Sequence, residues 1–109
     1  MLKSYKVYGK VQGVMFRQTF IRGLLKRGLK GGATNMDDTI KSVNITIESP
    51  EGLVIDQVIK ELMELKILNS WNASIENIEN IQTIPIEEHE VTTSNVDDHK
   101  WSSGVDFYF

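Results

Sequence analysis

The chain has 109 residues, 40% of them hydrophobic, which suits one small domain (1–109) that buries its own core. It contains no cysteine, so disulfide and thiolate chemistry are excluded. No stretch approaches the ~20 apolar residues of a membrane helix, and MLKSYKVYGK lacks a leader's apolar run, so a soluble, cytoplasmic chain is expected. The net charge of −3 is uneven: residues 1–50 carry nine Lys/Arg against three Asp/Glu, and residues 51–109 carry three against twelve.

In chain order, residues 3–8 alternate Tyr5 and Val7 against Ser4, Lys6 and Tyr8, as a first strand does. After a turn reading GKVQGVMFR (9–17), Phe20, Ile21, Leu24 and Leu25 fall at helical spacing opposite Arg22, Lys26 and Arg27. This predicts a helix from Gln18 to about Leu29, stopped by Gly31-Gly32 in the left-handed conformation. A short strand at about 32–36 runs into a turn at Asp37-Asp38-Thr39. Val43, Ile45 and Ile47 then alternate with Ser42, Asn44, Thr46 and Glu48, a half-buried strand broken by Ser49-Pro50-Glu51-Gly52.

Ile55, Val58, Ile59 and Leu62 recur at i, i+3, i+4, i+7 and place a second helix at about 54–66. Ile75, Ile78 and Ile81 fit neither period, and their segment reads as a strand with a bulge. Residues 85–101 are polar and without period, a long loop or hairpin. Val105, Phe107 and Phe109 alternate with Asp106 and Tyr108 in a short terminal strand.

The order is β-α-β-β-α-β with a short C-terminal strand. It predicts an α+β, ferredoxin-like split βαβ sandwich, an antiparallel sheet with two helices on one face. In this reading the first two strands lie side by side, with Asn35 near the end of the second. That architecture hosts many unrelated functions, so activity has to be argued from a site.

The turn at 9–17 is the best candidate. Backbone N–H groups in a glycine-containing loop can converge on an anion, and the next helix adds its unpaired N–H groups and the positive end of its dipole. Arg17 stands at that helix start, against the dipole, where a bound anion would explain it and where its planar fork can grip two phosphate oxygens. The basic half of the chain can steer such an anion. The same residues also fit a tight turn with a solvated arginine, and residue chemistry alone leaves both open. Asn35 is likewise either a water-binding amide or a turn residue bonded to its own backbone.

Other chemistries find less support. No Walker A run exists, and His89 and His99 lack metal-ligand spacing and read as solvent-exposed. Asp37-Asp38 reads as a turn former, and the sequons at Asn44 and Asn72 as chance. An RNA-binding domain of this fold would need stacking aromatics on its central strands, and VNITIES has none in an acidic chain.

GKVQGVMFR resembles the first signature of the acylphosphatase family, G-x-V-Q-G-V-x-[FM]-R, at every fixed position, and GLKGGATN resembles the second motif more weakly. The similarity covers residues 3 to about 68 well. It implies a metal-independent, cofactor-free enzyme that hydrolyses acyl phosphates to a carboxylate and inorganic phosphate; separately, a monomer is the default for a fold of this size. Under it, the phosphate would be held by the loop at Gln12, Gly13, Val14, Met15, Phe16 and Arg17. Asn35 would position water, Arg17 and Asn35 being the catalytic pair. Inorganic phosphate or sulfate is the expected bound anion, with no nucleic-acid or membrane partner. A non-catalytic phosphate- or phosphopeptide-binding module is the alternative. Gly32 stands where the family usually has an aromatic residue, and Lys41 where it has a glycine. The MDDTIK turn is about two residues longer, and the 85–101 segment exceeds what the fold requires.

Overall fold

A computed structural model describes residues 1–100 and 103–109. The elements run β1 (Leu2–Lys10), α1 (Phe16–Lys26), β2 (Lys30–Asn35), β3 (Val43–Glu48), α2 (Gly52–Glu64), β4 (Ser74–Ile81) and β5 (Val91–Thr92). The sheet order is β4-β1-β3-β2-β5, and every adjacent pair is antiparallel. The ferredoxin-like α+β architecture is therefore present. β1 and β2 are not neighbours, as the sequence reading had them; β3 lies between them, paired to both. The connection between β2 and β3 is a short turn, so antiparallel pairing with β3 is the local solution and the crossover helix carries the chain past it.

Alternation decides which face each strand residue takes. Val7, Val43 and Asn35 form one row across β1, β3 and β2, and Tyr5, Ile45 and Ala33 form the next. These rows face the helices, where Val7, Val43, Ile45 and Ala33 are fully buried with Phe16, Phe20, Leu24, Ile55 and Leu62. Asn35 is thus the polar end of an otherwise apolar layer.

α1 starts at Phe16, two residues before the predicted start, because Phe16 is itself a core side chain. No side chain caps its N-terminus, an omission that costs about 1 kcal/mol. Burying Phe16, Phe20, Ile21 and Leu24 outweighs it, at roughly 1.5–3 kcal/mol for each side chain. The helix stops at Lys26, not at Gly31-Gly32. Gly28 takes φ +70, and the N–H groups of Gly28 and Leu29 return to the carbonyls of Leu25 and Leu24.

Gly31 and Gly32 lie inside β2 instead, and they are small for steric reasons. A Cβ on Gly32 would come 2.6 Å from the Cβ of His89, on the face away from the helices. That histidine is buried, contrary to the expectation of a solvated one, with Nδ1 2.9 Å from Thr34 Oγ1 and Nε2 2.7 Å from Thr46 Oγ1. Burial pushes its pKa below the usual imidazole value. His89 therefore occupies the space that an aromatic at position 32 would need.

β4 carries the predicted bulge. Tyr8 pairs with Asn77 but Gly9 with Ile75, so Glu76 is the extra residue, and the shift explains isoleucines that matched no single period. The 85–101 segment is more structured than a loop. It forms single 3-10 turns at Ile86–Glu88 and Val96–Asp98 and the edge strand β5; its last residue, Trp101, lies outside the described residues. At the C-terminus Val105 and Phe109 are buried and Asp106 and Tyr108 exposed, the alternation expected of a strand. Among the described residues, the strand pairing there is a bridge between Phe107 and Asn69, outside the five-stranded sheet. Phe109 stacks on Phe20 at 6.3 Å, and the Arg27 guanidinium lies 4.1 Å from its ring centre.

Candidate active site

The turn between β1 and α1 is anchored from below by its apolar residues. Val11, Val14 and Phe16 are buried at 1%, 8% and 1% exposure, so the side chains of Val14 and Phe16 point into the core. Of the two, only backbone groups can meet a ligand. Between Val11 and Phe16 the chain bends twice into left-handed backbone, at Gly13 (φ +77) and Met15 (φ +59, ψ +27). Glycine accepts this freely; for methionine it is a strained choice that surrounding structure must hold. Asn69 supplies part of that hold, its buried Nδ2 donating to the Val14 carbonyl at 2.8 Å.

The result is a helix N-terminus left open. The first backbone bond of α1 runs from the Thr19 N–H to the Met15 carbonyl at 3.0 Å, and Thr19 Oγ1 reinforces it at 2.7 Å. The N–H groups from Gly13 to Arg17 donate to no acceptor among the described residues. There is no acidic residue in the first turn to neutralise them. A terminus of this kind has the donors and the dipole to accept an anion.

Gln12 takes a part that its place in the motif does not reveal. Its Nε2 donates to the carbonyls of Met36 (2.9 Å) and Ser42 (2.8 Å), so its side chain ties the loop to the turn after Asn35. That turn is further held by Asp38, whose carboxylate accepts from the Ser42 N–H at 3.0 Å and the Ser42 hydroxyl at 2.5 Å. These bonds to Ser42, with Lys6 at 3.5 Å, hold the Asp38 carboxyl below its usual pKa. Lys41, where a glycine was expected, adopts φ +54. The extra residues are accommodated in the turn itself, and Asn35 keeps its register opposite Val43.

Arg17, the second residue of α1, and Asn35, the last of β2, both line one cleft of about 240 Å³ together with Gly13, Met15 and Phe16. The Asn35 carboxamide makes no hydrogen bond to the described residues, and its Oδ1 is buried. An unpaired buried acceptor costs about 1–3 kcal/mol, and such groups are rare enough to ask for a reason. Arg17 is one-third exposed, and its Nη1 lies 3.1 Å from Glu90 Oε1.

The opposite wall comes from the C-terminal part of the chain. Val91, His99 and Lys100 line the cleft, and Gln18 reaches toward the carbonyls of Val96 and His99 at 3.4 Å each. Sequence reasoning missed Val91, His99 and Lys100 as cleft residues, and Glu90 as the partner of Arg17. The only signal was the β-branched pair Val91-Thr92 within a polar stretch. No group of three or more His, Cys, Asp or Glu is placed to hold a metal ion among the described residues.

Comparison with known proteins bears on the family and the fold. The chain is similar to the crystal structure of acylphosphatase from Bacillus subtilis, with 29% identity and a TM-score of 0.56 over 82% of this chain and 92% of that one. It is also similar in fold to full-length HypF, crystallised in a phosphate- and nucleotide-bound form. That match has 24% identity and a TM-score of 0.55, over 83% of this chain and 11% of that one. No curated protein sequence gives a significant match. The acylphosphatase family profile matches residues 3–99, the span that contains the open loop, Arg17, Asn35 and β5, and the chain belongs to the acylphosphatase family.

Proposed function

We propose that this protein hydrolyses acyl phosphates at the cleft between α1 and the end of β2. Family and fold support an acylphosphatase-type activity in general; the assignment of roles rests on the geometry. The phosphate sits on the N–H groups of Gly13 to Arg17 at the α1 N-terminus, with the Arg17 fork on two of its oxygens. The Asn35 carboxamide holds a water against the phosphorus. Water attacks phosphorus, the bond to the acyl oxygen breaks, the carboxylate departs with that electron pair, and the water's proton passes to a phosphate oxygen.

A carboxylate leaves readily, so the reaction asks for positioning and charge stabilisation rather than a general acid. Those are what an open helix terminus and a fixed arginine supply. The reading includes a monomer working without a bound metal. The observation that carries it is the unbonded Asn35 carboxamide in the cleft that Arg17 lines.

The test is hydrolysis of benzoyl phosphate with a chelator present, for wild type, Arg17→Ala and Asn35→Ala. Turnover by wild type and its collapse in both variants is the expected result. If folded wild type binds inorganic phosphate through Arg17 without turnover, the chain is a phosphate-binding module and the catalytic assignment is wrong.

A further inference from the structure

We infer that Glu90 is a positioning residue that holds Arg17 and the Asn35 end of β2 in register, an inference that rests on the hydrolase reading above. One oxygen does both: Glu90 Oε1 accepts from Arg17 Nη1 at 3.1 Å and from the backbone N–H of Asn35 at 2.9 Å. The cleft residue assigned to phosphate and the one assigned to water are therefore tied to a single atom.

The origin of this contact is the short edge strand. β5 pairs with β2 only at Gly32–Thr92 and Ala33–Val91. Beyond that point the outward N–H of Asn35 has no ladder carbonyl, and the Glu90 carboxylate accepts it instead. Its own backbone is fixed on both sides: the Glu90 N–H donates to Thr34 Oγ1 at 3.0 Å, and the Glu90 carbonyl accepts from Asn95 Nδ2 at 3.2 Å. The next residue, Val91, is 2% exposed. The carboxylate thus starts from a backbone that is bonded on both sides.

What this does to Arg17 follows from the shape of a guanidinium. Nη1 is engaged by Glu90, while Nε and Nη2 make no hydrogen bond among the described residues. One edge of the fork is pinned and another is left for two anion oxygens. An exposed ion pair alone would do little, and both side chains are partly solvated, at 33% and 48%. Here the shared oxygen and the clamped backbone restrict where the pair can go. A carboxylate beside the phosphate also repels it, so removing the charge and removing the acceptor have separable consequences.

Glu90→Gln keeps an acceptor oxygen and loses the charge; Glu90→Ala loses both. Two readouts are needed: benzoyl phosphate kinetics, and NMR of the Arg17 Nε–H together with hydrogen exchange at the Asn35 amide. We expect Glu90→Ala to lower kcat/KM about tenfold, chiefly through kcat, as misplacement rather than lost binding does. Its Arg17 Nε–H should become mobile and its Asn35 amide exchange faster. Glu90→Gln should stay ordered at both places and near wild-type kcat, with tighter inhibition by inorganic phosphate. The inference is overturned if Glu90→Ala keeps wild-type kcat and an ordered Arg17, or if it gains activity, which would make Glu90 a competitor of the substrate. It is overturned too if Glu90→Gln is as impaired as Glu90→Ala. Should wild type not hydrolyse benzoyl phosphate, the hydrolase reading fails, and the NMR signals decide by themselves whether Glu90 holds Arg17.

Discussion

Two regions meet at the cleft, and they are specified in different ways. The β1–α1 loop is contiguous: Gly9 to Arg17 carries its buried anchors, its left-handed residues and its arginine within nine positions of chain. The segment from Ile84 to Lys100 reaches the same cleft with no motif, held to the sheet and to α1 by long-range contacts. Ile84 N–H bonds to Ser4 Oγ, His89 lies between Thr34 and Thr46, and Glu90 joins Arg17 to Asn35. A short loop can present a set of open donors because its own backbone N–H groups and a helix terminus supply them. A wall built by distant side chains requires the whole sheet to be in place first.

The comparison would break at its strongest point if Arg17→Lys were active. An ammonium cannot hold two oxygens in a fixed fork, and loss of one preorganised donor typically costs ~10²–10³ in rate, about 2.7–4 kcal/mol. The lysine variant is expected to fall at least that far in kcat/KM on benzoyl phosphate, with unfolding unchanged.

A smaller effect tests the other region. His89→Ala removes two hydrogen bonds, one from each of the Thr34 and Thr46 hydroxyls, which keep their other partners, and opens a gap over Gly32. It should destabilise the fold by about 1–3 kcal/mol in urea unfolding, and a change within error would mean that the C-terminal segment is merely laid on the sheet.

The same residue gives a pH dependence of known sign. The folded pKa of His89 lies below its ordinary value of 6.5 because burial disfavours the imidazolium. The unfolded chain therefore binds a proton first as pH falls. Stability is full above about 6.5 and declines as pH drops from there through the folded pKa, and this slope should vanish in His89→Ala. Glu61 acts in a separate, lower window, because Arg27, at 2.7 Å, holds its carboxyl below the ordinary value of 4.5. Its contribution is present above that value and is lost as pH falls through the depressed one.

The smallest effect serves as a control. Lys3 and Asp56 pair at 3.4 Å with 34% and 61% exposure, far from the cleft. Lys3→Ala should change stability by less than about 0.5 kcal/mol and leave turnover alone, since exposed pairs are screened and entropically costly.

Much of this molecule was legible from residue order. Hydrophobic period placed both helices and the strands they pack on, because one buried face repeats at fixed spacing whatever the partner. Ile75, Ile78 and Ile81 even disclosed a bulge by failing to match any period. The loop and its arginine stood out as a candidate because their glycines, helix start and guanidinium lie within nine residues of chain. Tertiary structure decided the rest. Gly28 rather than Gly31 ends α1, since Gly31 and Gly32 are small to admit Leu24 and His89, which lie far from them in sequence or on another element. Gln12 proved to be a tie to the Asn35 turn, and His89 a buried, neutral spacer. Glu90, the residue just before β5 begins, meets Arg17 and the Asn35 N–H only in the assembled sheet. Period and turn chemistry travel with the chain, whereas a side chain's partner across the sheet exists only once the sheet has chosen its register.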